Sequence, residues 1–211
     1  GTWYDSALVN SFNSDISQWD TSSVTNMYRA FTASTSFNID VSQWDTSSVR
    51  SMEAMFYGAT SFNGDVSQWD TSSVTTVQSM FYSATSFNGD ISLWDTSSLT
   101  SFSNLLCTGT SGWWYNSALA NSFNGDISQW DTSRVTNMYR TFYSSTSFNI
   151  DVWQWDTSSV TTMEDMFRSA SAFNGDVSQW DTSSVTNMYN MFVSATSLNV
   201  SVSQWDTSSV T

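Results

Sequence analysis

Histidine, lysine and proline are missing from this 211-residue chain, and a single cysteine, Cys107, is present. The first two absences remove the commonest general base and the Schiff-base amine, so the chain reads as a non-enzyme. One cysteine excludes an internal disulfide. Basic side chains are scarce: five, all arginine, against 19 acidic ones, a formal net charge of −14. So acidic a chain is repelled by phosphate backbones and anionic lipid surfaces, which argues against nucleic-acid and membrane-surface partners. No apolar run approaches the roughly 20 residues that span a bilayer. No basic-then-apolar leader opens the sequence, which reads as a processed chain or a fragment. Charged residues make up only 11% of positions, yet aromatic ones make up 16%, with 12 Trp and 14 Phe. That many rings in a Ser/Thr-rich chain argue against disorder and for a packed core.

The rings are periodic. Tryptophan recurs every 25 residues at Trp19, Trp44, Trp69 and Trp94, and again at Trp130, Trp155, Trp180 and Trp205. The Trp94 to Trp130 interval alone is longer, by eleven residues. The chain therefore divides into a first four-coil block (1–100), an insertion (101–111) and a second four-coil block (112–211), one continuous array. The segment Gly1-Thr-Trp-Tyr-Asp-Ser-Ala-Leu has its counterpart in Gly112-Trp-Trp-Tyr-Asn-Ser-Ala-Leu.

In the first unit the apolar positions are Phe12, Ile16, Trp19, Val24, Met27 and Phe31. Asp15 and Ser17 flank Ile16, which predicts a very short strand with one inward residue. Val24, Met27 and Phe31 fall on one face of two helical turns, with Ser22 or Ser23 as N-cap. A 25-residue unit cannot bury its apolar face alone, whereas stacked copies bury a continuous core. The expected fold is a leucine-rich-repeat-like solenoid of eight 25-residue coils, each a short parallel strand plus a short helix. At about 4.8 Å per coil it would be a rod on the order of 38 Å long.

Stacking turns each repeated residue into a ladder. The eight tryptophans form one, and Phe12, Phe37, Phe62, Phe87, Phe123, Phe148 and Phe173 form a second that ends in Leu198. Asn13, Asn38, Asn63, Asn88, Asn124, Asn149, Asn174 and Asn199 form a third, read as a structural row whose amides satisfy buried turn backbone.

The motif Phe-Asn-x-Asp-[Ile/Val]-Ser-x-Trp-Asp-Thr-Ser-x-[Val/Leu]-Thr-x-Met-x-x-Met-Phe, at Phe62–Phe81 and Phe173–Phe192, resembles the BspA-like, leucine-rich-type surface repeats of mycoplasma lipoproteins and of bacterial and protist surface proteins. The resemblance covers nearly the whole chain. It implies an irregular leucine-rich-repeat solenoid on a secreted or surface-anchored protein, with roles in adhesion or envelope structure and no catalytic residues. Val77, Phe102 and Ser201 depart from the motif.

Two acidic columns run along the array, one through Asp15, Asp40, Asp65 and Asp90 and the other through Asp20, Asp45, Asp70 and Asp95. Stacked carboxylates repel, so each needs hydrogen-bond donors at the turn. The weaker alternative is a row of Ca²⁺ held by Asp15, Asp40, Asp65 and Asp90; otherwise no metal or cofactor is expected. The Thr21, Thr46, Thr71, Thr96 and Thr132 column is read with Ser22 as an exposed array: solvated, O-glycosylated or ice-binding. Asn199 carries the one N-glycosylation sequon. Glu164 and Asp165 are assigned to a solvated helix face. Cys107 with Trp113, Trp114 and Tyr115 is the candidate irregular binding patch.

No polar capping repeat is recognisable at either end. Counting from Trp205 through Thr211 and on from Gly1 to Trp19 again gives 25 residues, so copies would join in register through Gly1, Trp3, Tyr4, Val210 and Thr211, unless the chain belongs to a longer covalent array. The functional expectation is an extracellular or cell-surface structural glycoprotein that forms or contributes to a fibril by head-to-tail stacking. The alternative is an adhesin that binds a host protein or glycan through an exposed face.

Overall fold

The computed structural model describes residues 11–109 and 120–211. Each 25-residue unit returns to the same point one level further on, because its backbone bonds to the next unit. Met27 donates its N–H to the carbonyl of Ser51 (2.8 Å), Arg29 to Glu53 (3.0 Å), Phe31 to Met55 (2.9 Å) and Ala33 to Tyr57 (2.6 Å). The next coil repeats the row: Met52 to Thr76, Ala54 to Gln78, Phe56 to Met80 and Gly58 to Tyr82. Every second N–H points forward along the stack. The intervening ones close local turns, as Ala30 does onto Met27 and Ser34 onto Phe31.

This arrangement overturns the expected strand-plus-helix, leucine-rich-repeat-like coil. Among the described residues there is no helix and no extended strand; coils are tied by turns and by isolated parallel bridges such as Asn26 to Ser51 and Thr162 to Asn187. The Val24–Met27–Phe31 segment fails as a helix for two reasons. A right-handed helix needs φ near −63° throughout, but left-handed positions recur along the segment, φ 55° at Arg29 and 59° at Ala33, then 53° at Ala54 and 69° at Gly58. In addition, a two-turn segment rich in Ser, Thr and Asn is too short to nucleate alone, so its alternate N–H groups bond to the neighbouring coil instead. The strand expected around Ile16 is likewise a turn, with Trp19 N–H on the Ile16 carbonyl.

The inward positions were legible. Phe37, Phe62, Phe87, Phe123, Phe148 and Phe173 are fully buried. All but Phe123 pack face to face on the other phenylalanine of their coil, Phe56 on Phe62 and Phe81 on Phe87 at 3.8 Å between centroids. The tryptophans stack almost coplanar, Trp44 on Trp69 at 6.4 Å and Trp130 on Trp155 at 6.5 Å. From Trp44 onward each of these indole N–H groups donates one level back, Trp69 to the Val41 carbonyl and Trp94 to that of Val66, both 3.0 Å. An indole buried in this way has its one polar atom satisfied.

The stack continues through the long interval. Residues 101–108 occupy the row of the fourth coil: Phe102 donates to Asn137, Asn104 to Tyr139, Leu106 to Thr141 and Thr108 to Tyr143. The eleven extra residues are accommodated between Thr108 and Asn121, whose side chain holds the Leu106 carbonyl (2.8 Å). Two departures from the motif compensate here. Leu106 stands at the Phe81 position and Phe102 at the Val77 position, and the Phe102 ring tilts onto Trp130 at 5.2 Å.

Candidate functional site

The acidic columns along the stack are held in hydrogen-bonded turns. In one acidic column Asp20 accepts the Ser22 hydroxyl (2.6 Å) and N–H (3.1 Å), and Asp45, Asp70 and Asp95 do the same with Ser47, Ser72 and Ser97. In the other, Asp15 and Asp40 accept the N–H groups of Ser17 and Ser42. Ser22's hydroxyl, then its N–H, lowers the Asp20 pKa, and the same pair of donors from Ser47 lowers that of Asp45, against repulsion from Asp70 and Asp20. No group of three metal-ligating side chains occurs among the described residues. The Asp15, Asp40, Asp65 and Asp90 carboxylates lie in turns of this kind, with Ser67 and Ser92 as the donors to the latter two.

Two assignments to exposed faces are corrected. Thr21, Thr46, Thr71, Thr96 and Thr132 are buried, each donating its hydroxyl to the Asp carbonyl of the next coil, Thr21 to Asp45 and Thr46 to Asp70. They are internal struts, so this column offers no array to solvent, glycan or ice. Asp165 is also buried, at 1% exposure. Arg140 grips one of its oxygens through Nε (2.9 Å) and Nη2 (2.8 Å), and Arg168 reaches the other through Nη1 (3.2 Å). Arg140 also lies over the Tyr139 and Tyr143 rings. The signal available in the sequence was the 25-residue spacing of Arg140 and Asp165, which places opposite charges in one column. Glu164 accepts from Asn187 (2.8 Å).

Of the candidate binding patch, Cys107 is fully buried, and burial pushes its thiol pKa up. Trp113, Trp114 and Tyr115 lie outside the described residues, as do Gly1, Trp3 and Tyr4 among the assembly ends. Tyr57 and Tyr82 stack at 4.6 Å beside Cys107, and the Tyr82 hydroxyl donates to the Gly109 carbonyl. Thr211 donates its N–H to Thr186 (3.1 Å), and Val210 is half-buried.

The asparagines form a chain of identical bonds. Asn13 Oδ1 accepts the Asn38 N–H (3.0 Å), Asn38 accepts from Asn63 (2.9 Å), and the series runs to Asn174 accepting from Asn199 (2.7 Å).

Exposed apolar side chains occur along the stack, Leu93 at 75% and Trp153 at 48%, and on its first and last described coils. Trp19 is 59% exposed where Trp44 is 6%; at the other end Tyr189 is 68%, Val193 43% and Val202 39% exposed. An open apolar depression of about 450 Å³ is lined there by Met188, Asn190, Met191, Phe192, Val193, Val202 and Trp205. Among the described residues, the N–H groups of Met188, Asn190, Phe192 and Ser194 make no backbone bond of the kind their counterparts make one coil earlier, where Met163 donates to Asn187 and Phe167 to Met191.

The family described as "Mycoplasma protein of unknown function, DUF285" matches the chain twice, over residues 4–112 and 113–211. No curated protein and no solved structure matches it.

Proposed function

Since the chain belongs to the DUF285 family, in two tandem copies that fill it almost completely, we propose that it is an extracellular structural protein that forms, or contributes to, a surface fibril by head-to-tail stacking of its coils. The observation that carries this reading is the continuity of the columns: the same tryptophan, asparagine and threonine bonds recur from coil to coil and pass through the junction between the two family domains. A body whose stability comes from its neighbours in one direction gains from lengthening. The acidic side columns, with few cations to pair with them, repel other stacks laterally and favour growth along one axis. The resemblance of the repeat to BspA-like surface repeats supports the cell surface as its place of action, where glycans attached to the Ser-rich sides are compatible with stacking.

Electron microscopy of the native material, with a denaturing gel alongside, tests the proposal. Fibres of one coil-stack width that dissociate into discrete chains on the gel are the expected result. Dispersed short rods would overturn it.

A further inference from the structure

Two outward positions in the middle of the stack break the motif. Every other coil carries Gln at the position of Leu93 and Ser at that of Trp153, and both replacements are exposed. Neither is needed to close its turn: Trp94 donates its N–H to the Ile91 carbonyl (3.3 Å) and Trp155 to that of Val152 (3.1 Å), as Trp69 does to Val66 (3.3 Å) in a coil with the motif residues. Large apolar side chains held in water, where the fold accepts Gln and Ser, point to a use outside the fold. Both stand in interior coils, the fourth and the sixth, with described coils before and after, so their exposure owes nothing to either end of the chain.

We infer that Leu93 and Trp153 anchor an extended, cationic polypeptide segment that lies along the stack. The occupant follows from what surrounds the anchors. They take the two tip positions of the same corner, two coils apart, which is about 10 Å at the ordinary parallel spacing. In the coil between them the Gln129 amide is held by Gln154 Oε1 (2.9 Å) and Ser128 Oγ (3.1 Å). A polyproline II chain, rising about 3.1 Å per residue with three residues per turn, returns a side chain to the same side every ~9 Å. Residues three apart therefore reach both anchors. Carboxylates line the two edges of this strip: Asp90, Asp126 and Asp151 on one, Asp95, Asp131 and Asp156 on the other, all exposed. Ser92 and Ser128 N–H groups hold Asp90 and Asp126 (both 2.9 Å), and Ser97, Ser133 and Ser158 hydroxyls hold the second row (each 2.6 Å). Arg134 offsets part of the charge at Asp131. In a chain of net charge −14 such a strip attracts cations and repels anions and further copies of itself. The two remaining faces of a polyproline II segment direct Arg or Lys to the two rows, and a guanidinium over the Trp153 ring adds a cation–π contact. A neutral glycan would use the indole but leave both carboxylate rows without a counter-charge.

Fluorescence anisotropy tests this with the 211-residue chain and labelled peptides made of four Leu-Arg-Arg, Ser-Arg-Arg or Leu-Glu-Glu repeats. The variants are Leu93→Gln and Trp153→Ser, which restore the residues that the other coils already carry, so the fold is retained, as circular dichroism will verify. The native chain should bind the Leu-Arg-Arg peptide at least tenfold more tightly than the Ser-Arg-Arg peptide and should not bind the Leu-Glu-Glu peptide. Leu93→Gln should weaken Leu-Arg-Arg binding about tenfold, the size of one lost anchor contact, and leave Ser-Arg-Arg binding unchanged; Trp153→Ser should weaken it by at least as much. Added salt should weaken both arginine peptides. Equal affinity for the two arginine peptides, or binding indifferent to both substitutions, would reduce the contact to bulk charge and overturn the anchors. Absence of peptide binding by the native chain would overturn the inference as well, and retention on a neutral polysaccharide gel that Trp153→Ser abolishes would then assign the strip to a glycan. Both substitutions leave the bonds between coils in place, so fibril formation should not change with either.

Discussion

The indole N–H of Trp130 donates to the carbonyl of Ile91 over 3.0 Å, 39 residues earlier in the chain, whereas Trp69 makes the same 3.0 Å bond to Val41 only 28 residues earlier. Equal geometry at unequal sequence separation means that the bond is dictated by the stacked faces. It also makes tryptophan the residue whose removal separates the inside of the stack from its ends.

Trp69→Ala should cost about 3–5 kcal/mol, as the loss of a large buried side chain does, with the Val41 carbonyl left unpaired. Trp19→Ala should cost the isolated chain much less, because that ring is already 59% exposed. Urea denaturation of monomeric protein followed by circular dichroism checks the contrast.

Asp165→Asn should destabilise by roughly 2–4 kcal/mol, since it removes the charge that Arg140 and Arg168 share and leaves two partly buried guanidiniums without that counter-charge. Arg140→Ala should cost less, because Arg168 still pairs with the carboxylate. Thermal melts of both variants give the comparison.

Phe102 and Leu106 are both fully buried, a larger side chain at the Val77 position and a smaller one at the Phe81 position of the same coil. Phe102→Met and Leu106→Phe should each destabilise by about 1–3 kcal/mol, the first through a cavity and the second through overpacking, and the double variant should recover most of the loss. A double-mutant cycle measures the coupling.

Ser83 is held at φ 55° in the position that Gly58 occupies one coil earlier at φ 69°. Ser83→Gly relieves the left-handed strain at some cost in unfolded-chain entropy, so the expected gain is a few tenths to about 1 kcal/mol. The same substitution at Ser86, away from the left-handed positions, should destabilise.

The turn aspartates give stability a pH dependence of definite sign. Ser hydroxyl or N–H donors lower the pKa of Asp15, Asp20, Asp40, Asp45 and Asp70 below the ordinary 3.8. A folded-state pKa below the unfolded one stabilises above the unfolded value and is lost as pH falls through the folded one. The midpoint of thermal unfolding should therefore be nearly level from pH 7 to 5 and drop below about pH 4.

The sequence by itself determined the 25-residue period, the tryptophan and Phe37–Phe173 columns and the presence of an asparagine row, because a stack repeats its residues in columns and a column is visible as spacing; it did not place Phe102 or Tyr82 inside. The apolar spacing at Val24, Met27 and Phe31 could not distinguish a helix from a train of turns, since both bury every third or fourth residue. Only the tertiary structure decided for turns, because the N–H groups of Met27, Arg29, Phe31 and Ala33 find acceptors in the next coil, which no local pattern records. The same long-range pairing buried the Thr21 column and drew Asp165 inside. Those residues are polar in the sequence and interior in the fold because their partners stand one coil away.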